Sequence, residues 1–183
     1  SSIDAILRLR VRIDYHQIKE ITSRIFATGA YIIDDDRPWE GNKGIMGARF
    51  SAQYNMAVAL LFGEKGMWDQ YDADKAMEYM KMDEVRELIN KIKIIHVKEW
   101  DEDTEMYSAC EVNVTLNDGT HLTEEMPNAL GDPDNPIPYS DQVKRFKNIV
   151  SVIGWSKEKI SGIVNNVLGL EKIDDIETLM TYL

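Results

Sequence analysis

A strictly alternating segment near the middle of the chain constrains the fold more than any other feature. Over residues 107–116, apolar side chains alternate with more polar ones, which is the two-residue period of a half-buried β-strand. The Asn117-Asp118-Gly119 turn follows, and then a second extended segment over 120–125. The sequence therefore predicts an antiparallel hairpin, and with it a β-sheet.

Several helices are predicted in the part of the chain that precedes this hairpin. Apolar residues recur at helical intervals over 2–11 and again over 48–62, where Gly63 is expected to end the helix. Two shorter helices are predicted over 74–82 and 83–90. The middle of the chain is therefore expected to be α+β.

Two more strands complete the predicted sheet, which is small and either antiparallel or mixed. They cover 20–27 and 92–97, where β-branched residues are frequent. Between the first of them and the helix at 48, residues 29–47 hold an acidic run, a proline and several glycines. This composition predicts a long irregular connection.

The last part of the chain follows a loop over 131–138 that contains three prolines. Ser140 and Ser156 are suited to be the N-caps of two helices, and a third helix is predicted over 174–183. All three have an apolar stripe at helical spacing. The tail is therefore predicted to be a set of amphipathic helices.

Composition excludes several functional classes. The 183 residues have a formal charge of -11, which argues against nucleic acid as a partner but does not exclude an anionic metabolite. A helix that spans a bilayer needs about 18 consecutive apolar residues, and the sequence contains no such run. No membrane partner is therefore expected. The single cysteine, Cys110, cannot form an intramolecular disulfide, and the expected compartment is the cytoplasm.

Two stretches of the sequence are similar to signatures of the MmgE/PrpD family. The first is Ala-Arg-Phe-Ser-Ala-Gln-Tyr over 48–54, which continues through 57–61 to Gly63. The second combines, in the order and at the distances typical of the family, Asp118-Gly119, Gly131, Asn135-Pro136 and Arg145-Phe146. The chain thus resembles the carboxy-terminal part of such an enzyme.

This resemblance implies a fold in three segments. Residues 1–12 and 138–183 would belong to a large all-helical domain built from both chain ends, and 13–137 would form a smaller α+β domain inserted between them. Ser2-Ile3-Asp4-Ala5 is similar to the residues that follow a family motif ending in an active-site histidine. The missing amino-terminal segment would therefore be a partner of this chain and would hold most of the catalytic groups.

The resemblance also implies an activity. Family members include 2-methylcitrate dehydratase of propionate catabolism, cis-aconitate decarboxylase and iminodisuccinate epimerase, which act without cofactors on small di- and tricarboxylic acids. The leading hypothesis is a fragment of a 2-methylcitrate dehydratase-like lyase that is inactive alone. The alternative is a non-catalytic or split subunit that serves as an interaction or oligomerisation module. In either case homo-oligomers are expected, since the closing helices would leave apolar stripes uncovered.

Three residues of the first signature are candidates for a substrate site. Tyr54 matches a family tyrosine of the active site and could hold a carboxylate or transfer a proton, but its spacing is equally that of a core tyrosine. Arg49 could bind a substrate carboxylate or form a surface salt bridge. At the start of a helix its charge would oppose the helix dipole, which suggests an anionic partner. Ser51 is a weaker candidate for substrate binding.

The remaining polar residues with reactive side chains suggest no second site. His16, His96 and His121 lack partners at the spacing of metal ligands, so no metal is expected. Cys110 lies on the apolar face of its predicted strand and is expected to be part of the core. The acidic runs over 34–36 and 101–105 do not follow a calcium-binding loop pattern.

Overall fold

The computed structural model describes residues 1–41, 43–102 and 108–182. It divides into two compact units, Ser1–Pro136 and Ile137–Leu183. The first unit contains helices and a sheet, while the described part of the second is helical. The predicted mixture of helices with a small sheet is confirmed. Assignment of 1–12 and 138–183 to a larger helical domain stays a prediction.

The sheet of the first unit has four strands, β1 (Ile18–Ile25), β2 (Ile92–His96), β3 (Cys110–Leu116) and β4 (His121–Met126). Their spatial order is β2-β1-β3-β4. β1 runs parallel to β2 and antiparallel to β3, so the sheet is mixed. β3 and β4 form the predicted hairpin, with Gly119 in the turn at a φ of 87°. Tyr107, the predicted start of β3, lies outside the described residues.

The described residues of this unit also form six α-helices: α1 (Ser2–Leu9), α2 (Ala27–Ile33), α3 (Gly44–Arg49), α4 (Ala52–Asp69), α5 (Ala73–Tyr79) and α6 (Asp83–Ile89). A 3-10 turn over Arg10–Arg12 extends α1. α1 packs against α4, β3 and β4, and α4 also packs against α6. The amino-terminal helix is therefore part of the core of the first unit.

The core lies between one face of the sheet and these helices. Alternate residues of β1 and β3 are buried, as the period of two predicts. Full burial of an aliphatic side chain stabilises a fold by about 1.5–3 kcal/mol. The largest contributions come from side chains that have almost no exposed surface: Ile6, Leu9, Ile18, Ile21, Met56, Val58, Val85, Ile89, Val112 and Val114.

The irregular connection predicted over 29–47 is wrong at both ends, because α2 and α3 lie there. The main-chain N–H of Ala27 donates to Asp101 Oδ1 over 2.8 Å, so a residue distant in sequence caps α2. Gly29 also suits this helix. A Cβ at that position would lie 3.1 Å from Ile25 Cδ1, closer than packed carbon atoms normally approach.

The helix predicted over 48–62 is divided at its start. α3 ends at Arg49, the chain bends at Phe50, and α4 begins at Ala52 with Ser51 as its N-cap. The helical spacing over 48–62 predicts that Phe50 is buried with the other apolar residues, but Phe50 is 47% exposed. Gly63 interrupts α4 with a φ of 64°, after which helical geometry resumes as far as Asp69.

The second unit contains α7 (Tyr139–Val152), α8 (Lys157–Leu168) and the short α9 (Glu177–Met180). Ser156 caps α8 as predicted, accepting from the N–H of Lys159 at 3.2 Å. Ser140 lies inside α7 and is not its cap, and the helix predicted over 174–183 is much shorter. In the part of the chain that is described, no helix is both long and apolar enough to cross a membrane.

Candidate functional site

A cavity of about 340 Å³ lies in the first unit. Five parts of the chain surround it: the start of α1, the end of β1 with the start of α2, the bend between α3 and α4, the segment around Ser108, and the segment around Ala129. These elements meet because α1 and α4 pack on the same face of the sheet. The cavity is therefore a product of the tertiary fold rather than of one motif.

One side of the cavity is hydrocarbon. Ile3, Ile25, Phe26, Ile33 and Met56 line it, and Ile25 and Met56 are also buried in the core. Such a surface excludes water and strengthens the electrostatic interactions of any polar group beside it. The cavity thus combines an apolar floor with a small number of polar groups.

Arg49 is the one cationic side chain among the described residues that line the cavity. It is exposed and has no ion-pair partner within residues 1–41, 43–102 and 108–182. Its expected position at a helix start was wrong, since Arg49 ends α3, where the helix dipole favours a cation. Its role in substrate binding stays a prediction.

The start of α4 contributes to the same wall. Ala52 lines the cavity directly after the N-cap, and the first N–H groups of an α-helix have no partner within the helix. The start of α1 lines another part of the cavity through Ser2 and Ile3. Both helix starts therefore add positive potential to that of Arg49.

Ser51 lines the cavity, but its hydroxyl group is used within the fold. Ser51 Oγ accepts from the N–H of Tyr54 at 3.0 Å and donates to the carbonyl oxygen of Asp35. The residue is 1% exposed. The geometry favours a structural role as N-cap, and substrate binding by Ser51 stays a prediction.

Tyr54 is fully buried and does not line the cavity. Its hydroxyl group lies 2.9 Å from the carbonyl oxygen of Ala76 and 3.0 Å from Gln70 Oε1, inside the fold. Burial raises the pKa of Tyr54 to about 12, so the phenol stays neutral. The geometry favours the alternative of a core tyrosine, and the catalytic role stays a prediction.

Asn55 lines the cavity beside Arg49 and was not singled out from the sequence. Its Nδ2 donates to the carbonyl oxygens of Ala48 at 2.8 Å and Ser51 at 2.7 Å. No local pattern indicates this, because the bond to Ala48 crosses from α4 to α3. The bend between the two helices had to be known first.

Gly131 and Asn135 of the second sequence signature lie in a loop that meets the cavity at Ala129. Asp132 Oδ2 accepts from Ser108 Oγ and, at 3.1 Å, from the N–H of Ala129. Asn135 Nδ2 donates to the carbonyl oxygen of Asn128 at 3.1 Å, and its own carbonyl accepts from the N–H of Gly131 at 2.8 Å. Residues 128–135 are thus a self-bonded loop that fixes Ala129 and Ser108 at the cavity.

His96, His121 and Cys110 are not among the described residues that line this cavity. His96 Nε2 lies 2.7 Å from Asp101 Oδ2, and the ring of His121 bonds to Thr115. Cys110 is 2% exposed, which confirms it as a core residue, and burial raises the pKa of its thiol. Among the described side chains, no three His, Cys, Asp or Glu residues form a metal-binding group. Of the acidic run over 101–105, residues 103–105 lie outside the described part.

The cavity can therefore hold an anion with an apolar portion. A carboxylate would bond to the guanidinium of Arg49 and to free N–H groups at the start of α4, while the hydrocarbon floor contacts its carbon skeleton. The described lining residues include no Asp, Glu, His or Lys. This wall is thus suited to binding rather than to proton transfer.

Comparison with known proteins identifies the family of the chain. Residues 1–170 match the model of the MmgE/PrpD C-terminal domain. Cis-aconitate decarboxylase of Aspergillus terreus is 26% identical over 153 residues, 82% of this chain and 29% of that enzyme. Cis-aconitate decarboxylase of Mus musculus is 26% identical over 136 residues, 74% of this chain and 26% of that enzyme. The chain spans less than a third of these relatives' length, and by its family match it belongs to the MmgE/PrpD family.

Proposed function

We propose that the chain is the carboxy-terminal part of a lyase that acts on a small carboxylic acid. In this proposal the cavity of the first unit is one wall of the substrate site, and Arg49 binds a substrate carboxylate. The observation that supports this most directly is that Arg49 is exposed at the cavity and has no ion-pair partner among the described residues.

The chemistry of such a substrate fits the wall. Arginine presents a planar fork of N–H donors that pairs with both oxygens of a carboxylate. In a lyase reaction beside a carboxylate, negative charge develops on that carboxylate, so a fixed cation stabilises the transition state. Both relatives compared above are named cis-aconitate decarboxylase, which supports a small unsaturated carboxylic acid as the ligand to test.

The proton-transfer groups of the reaction are proposed to lie outside this wall. The described lining residues include no Asp, Glu, His or Lys side chain that could transfer a proton. The purified chain is therefore expected to bind a carboxylate without converting it. Dehydration of 2-methylcitrate is the reaction first suggested by the sequence, and decarboxylation of cis-aconitate is the alternative suggested by the relatives.

Calorimetric titration with cis-aconitate tests this proposal. Substitution Arg49→Ala is expected to weaken binding by roughly 10-fold to 100-fold, since a hydrogen bond to a charged group contributes about 1.5–3 kcal/mol. Arg12→Ala is the matched control, because Arg12 is also an exposed arginine but does not line the cavity. Equal affinities of all three proteins, or no binding by the unaltered chain, would contradict the proposal.

The alternative of an interaction module rests on the second unit. Its helices expose a series of apolar side chains, with exposed fractions between 47% and 62%: Val152, Ile153, Val167, Leu168, Leu170, Ile176 and Met180. Surfaces of this kind often lie at protein interfaces. Self-association is therefore proposed for the isolated chain, and light scattering that shows a monomer at high concentration would contradict it.

A further inference from the structure

We infer that Asn55 is a positioning residue for Arg49. Its side-chain amide fastens the end of α3 to the first turn of α4, and this fixes the bend from which Arg49 reaches the cavity. The inference rests on the proposed role of Arg49 as a carboxylate-binding residue. Asn55 would affect ligand binding indirectly, through the position of Arg49.

The orientation of the Asn55 amide is determined by its partners. Both contacts, at 2.8 Å to Ala48 and 2.7 Å to Ser51, are with main-chain carbonyl oxygens. Carbonyl oxygens only accept hydrogen bonds, so the nitrogen of the amide must face them. The two N–H groups of Asn55 are therefore both donated, one to each side of the bend.

Other hydrogen bonds also reach the bend: the N–H of Phe50 donates to the carbonyl oxygen of Met46 at 3.0 Å, and Ser51 Oγ bonds to Asp35 and Tyr54. Phe50 has a non-helical ψ of 12°, and the N–H of Ser51 lies 3.4 Å from the carbonyl oxygen of Ala48, which is a long contact. Arg49 has no ion pair within the described residues that could hold its guanidinium in place. The position of Arg49 consequently depends on the main chain at Ala48 and Ser51, which Asn55 holds.

The start of α4 is already stabilised without the side chain of Asn55. Ser51 Oγ already caps the helix through the N–H of Tyr54, and the main-chain N–H of Asn55 already bonds to the carbonyl oxygen of Ser51 at 3.1 Å. The distinguishing contact is the one to Ala48, which directly precedes Arg49. Asn55 therefore joins two helices rather than capping one.

A double-mutant cycle tests the inference on the full chain, with calorimetric affinity for cis-aconitate as the measurement. The variants are Asn55→Leu, which has a similar shape without the two donors, Arg49→Ala, and the two combined. Asn55→Ser is a second variant in case the first does not fold. Its hydroxyl can bond to the carbonyl four residues earlier, as serine does within helices, but is too short to reach Ala48.

Asn166→Leu is the matched control. Asn166 Nδ2 donates to the carbonyl oxygen of Gly162 at 2.8 Å, which is likewise a bond from asparagine to the residue four positions earlier. It does not line the cavity. Any general effect of removing such a bond from a helix should appear in this variant as well.

The expected result is a loss of affinity of about 5-fold to 10-fold in Asn55→Leu and Asn55→Ser, and none in Asn166→Leu. In the Arg49→Ala background the effect of Asn55→Leu should disappear, because residues that act through one another are not additive. Unchanged affinity in both Asn55 variants, or additive losses in the double variant, would overturn the role of Asn55 but not the proposed role of Arg49. Absence of an effect of Arg49→Ala would overturn the proposed function and the inference with it.

Discussion

The hydroxyl oxygen of Tyr54 lies 2.9 Å from the main-chain carbonyl oxygen of Ala76. This contact joins the first half of α4 to α5 in the interior of the first unit, where Tyr54 has no exposed surface. Gln70 Oε1, 3.0 Å away, is the second partner of the same hydroxyl group. The phenol hydroxyl of Tyr54 thus serves here to satisfy buried polar groups.

Substitution Tyr54→Phe is expected to destabilise the fold without weakening ligand binding. Loss of the hydroxyl group removes one of two donors to the buried carbonyl of Ala76, which keeps the N–H of Met80, and the loss of such a hydrogen bond costs about 0.5–1.5 kcal/mol. Urea unfolding measures the change, and titration with cis-aconitate measures binding. A marked loss of affinity at unchanged stability would instead support the catalytic role first predicted for Tyr54.

Gly63 is expected to tolerate no side chain. Its φ of 64° and ψ of -151° belong to a region open almost only to glycine, and a Cβ there would lie 3.0 Å from Arg10 Nη1. Arg10 Nε donates to the carbonyl oxygen of Leu60 at 3.1 Å, so a displaced guanidinium would lose that hydrogen bond.

Gly63→Ala should therefore lower the free energy of unfolding by about 1–3 kcal/mol. Gly119→Ala is the control, because Gly119 also has a positive φ, at 87°, but a Cβ there meets nothing within 4 Å. It should cost about 1–2 kcal/mol. Equal losses in urea unfolding would show that the contact with Arg10 contributes nothing.

Asp69 is expected to make stability depend on acidic pH. Burial raises its pKa, but hydrogen bonds from Lys65, Tyr79 and Lys75 outweigh this and hold the pKa below its usual value. A carboxylate whose pKa is lower in the folded state stabilises the fold above its unfolded pKa, near 3.9, and loses this effect as pH falls. Both lysines are about half exposed or more, so solvent weakens their share.

Asp69→Asn is consequently expected to be less stable than the unaltered chain at neutral pH, by an amount that is constant above about pH 5. The difference should shrink as pH falls through about 4 and below. Urea unfolding at a series of pH values measures it. A difference that does not change between neutral and strongly acidic pH would exclude a stabilising ionised Asp69.

The loop over 128–135 is expected to depend on Asp132. Substitution Asp132→Ala removes the acceptor of Ser108 Oγ and one of the two acceptors of the Ala129 N–H, which also lies 3.1 Å from Ser108 Oγ. Hydrogen exchange of the Ala129 amide should become faster, because an N–H that loses one of its acceptors is protected less. Exchange at Val112, in the sheet, is the internal reference and should stay slow. Unchanged exchange at Ala129 would show that the loop does not need this carboxylate.

The parts of the fold that depend on local patterns could be predicted from the sequence. The hairpin of β3 and β4 follows from a period of two and a turn with glycine. The cap of α8 follows from Ser156 just before a helical stripe. Both signals lie within a few residues of the structure that they specify.

The parts that depend on contacts distant in sequence could not be predicted. α2 begins at Ala27 because Asp101 accepts from its N–H, and 74 positions separate the two residues. Helical spacing across Phe50 hides the bend between α3 and α4, since the same residue types fit a continuous helix. That bend places Arg49 at the cavity and Tyr54 in the core, so the site could be predicted only as a set of nearby residues.

The most direct test of whether Arg49 binds a carboxylate follows the Nε–H signal of Arg49 in a ¹H–¹⁵N correlation spectrum while cis-aconitate is added. The signal is assigned with an Arg49→Lys variant, in which it is absent. The account predicts a saturable shift of the Arg49 signal, with the signal of exposed Arg12 unmoved. Saturable binding that leaves the Arg49 signal in place, or shifts both arginines alike, would contradict it.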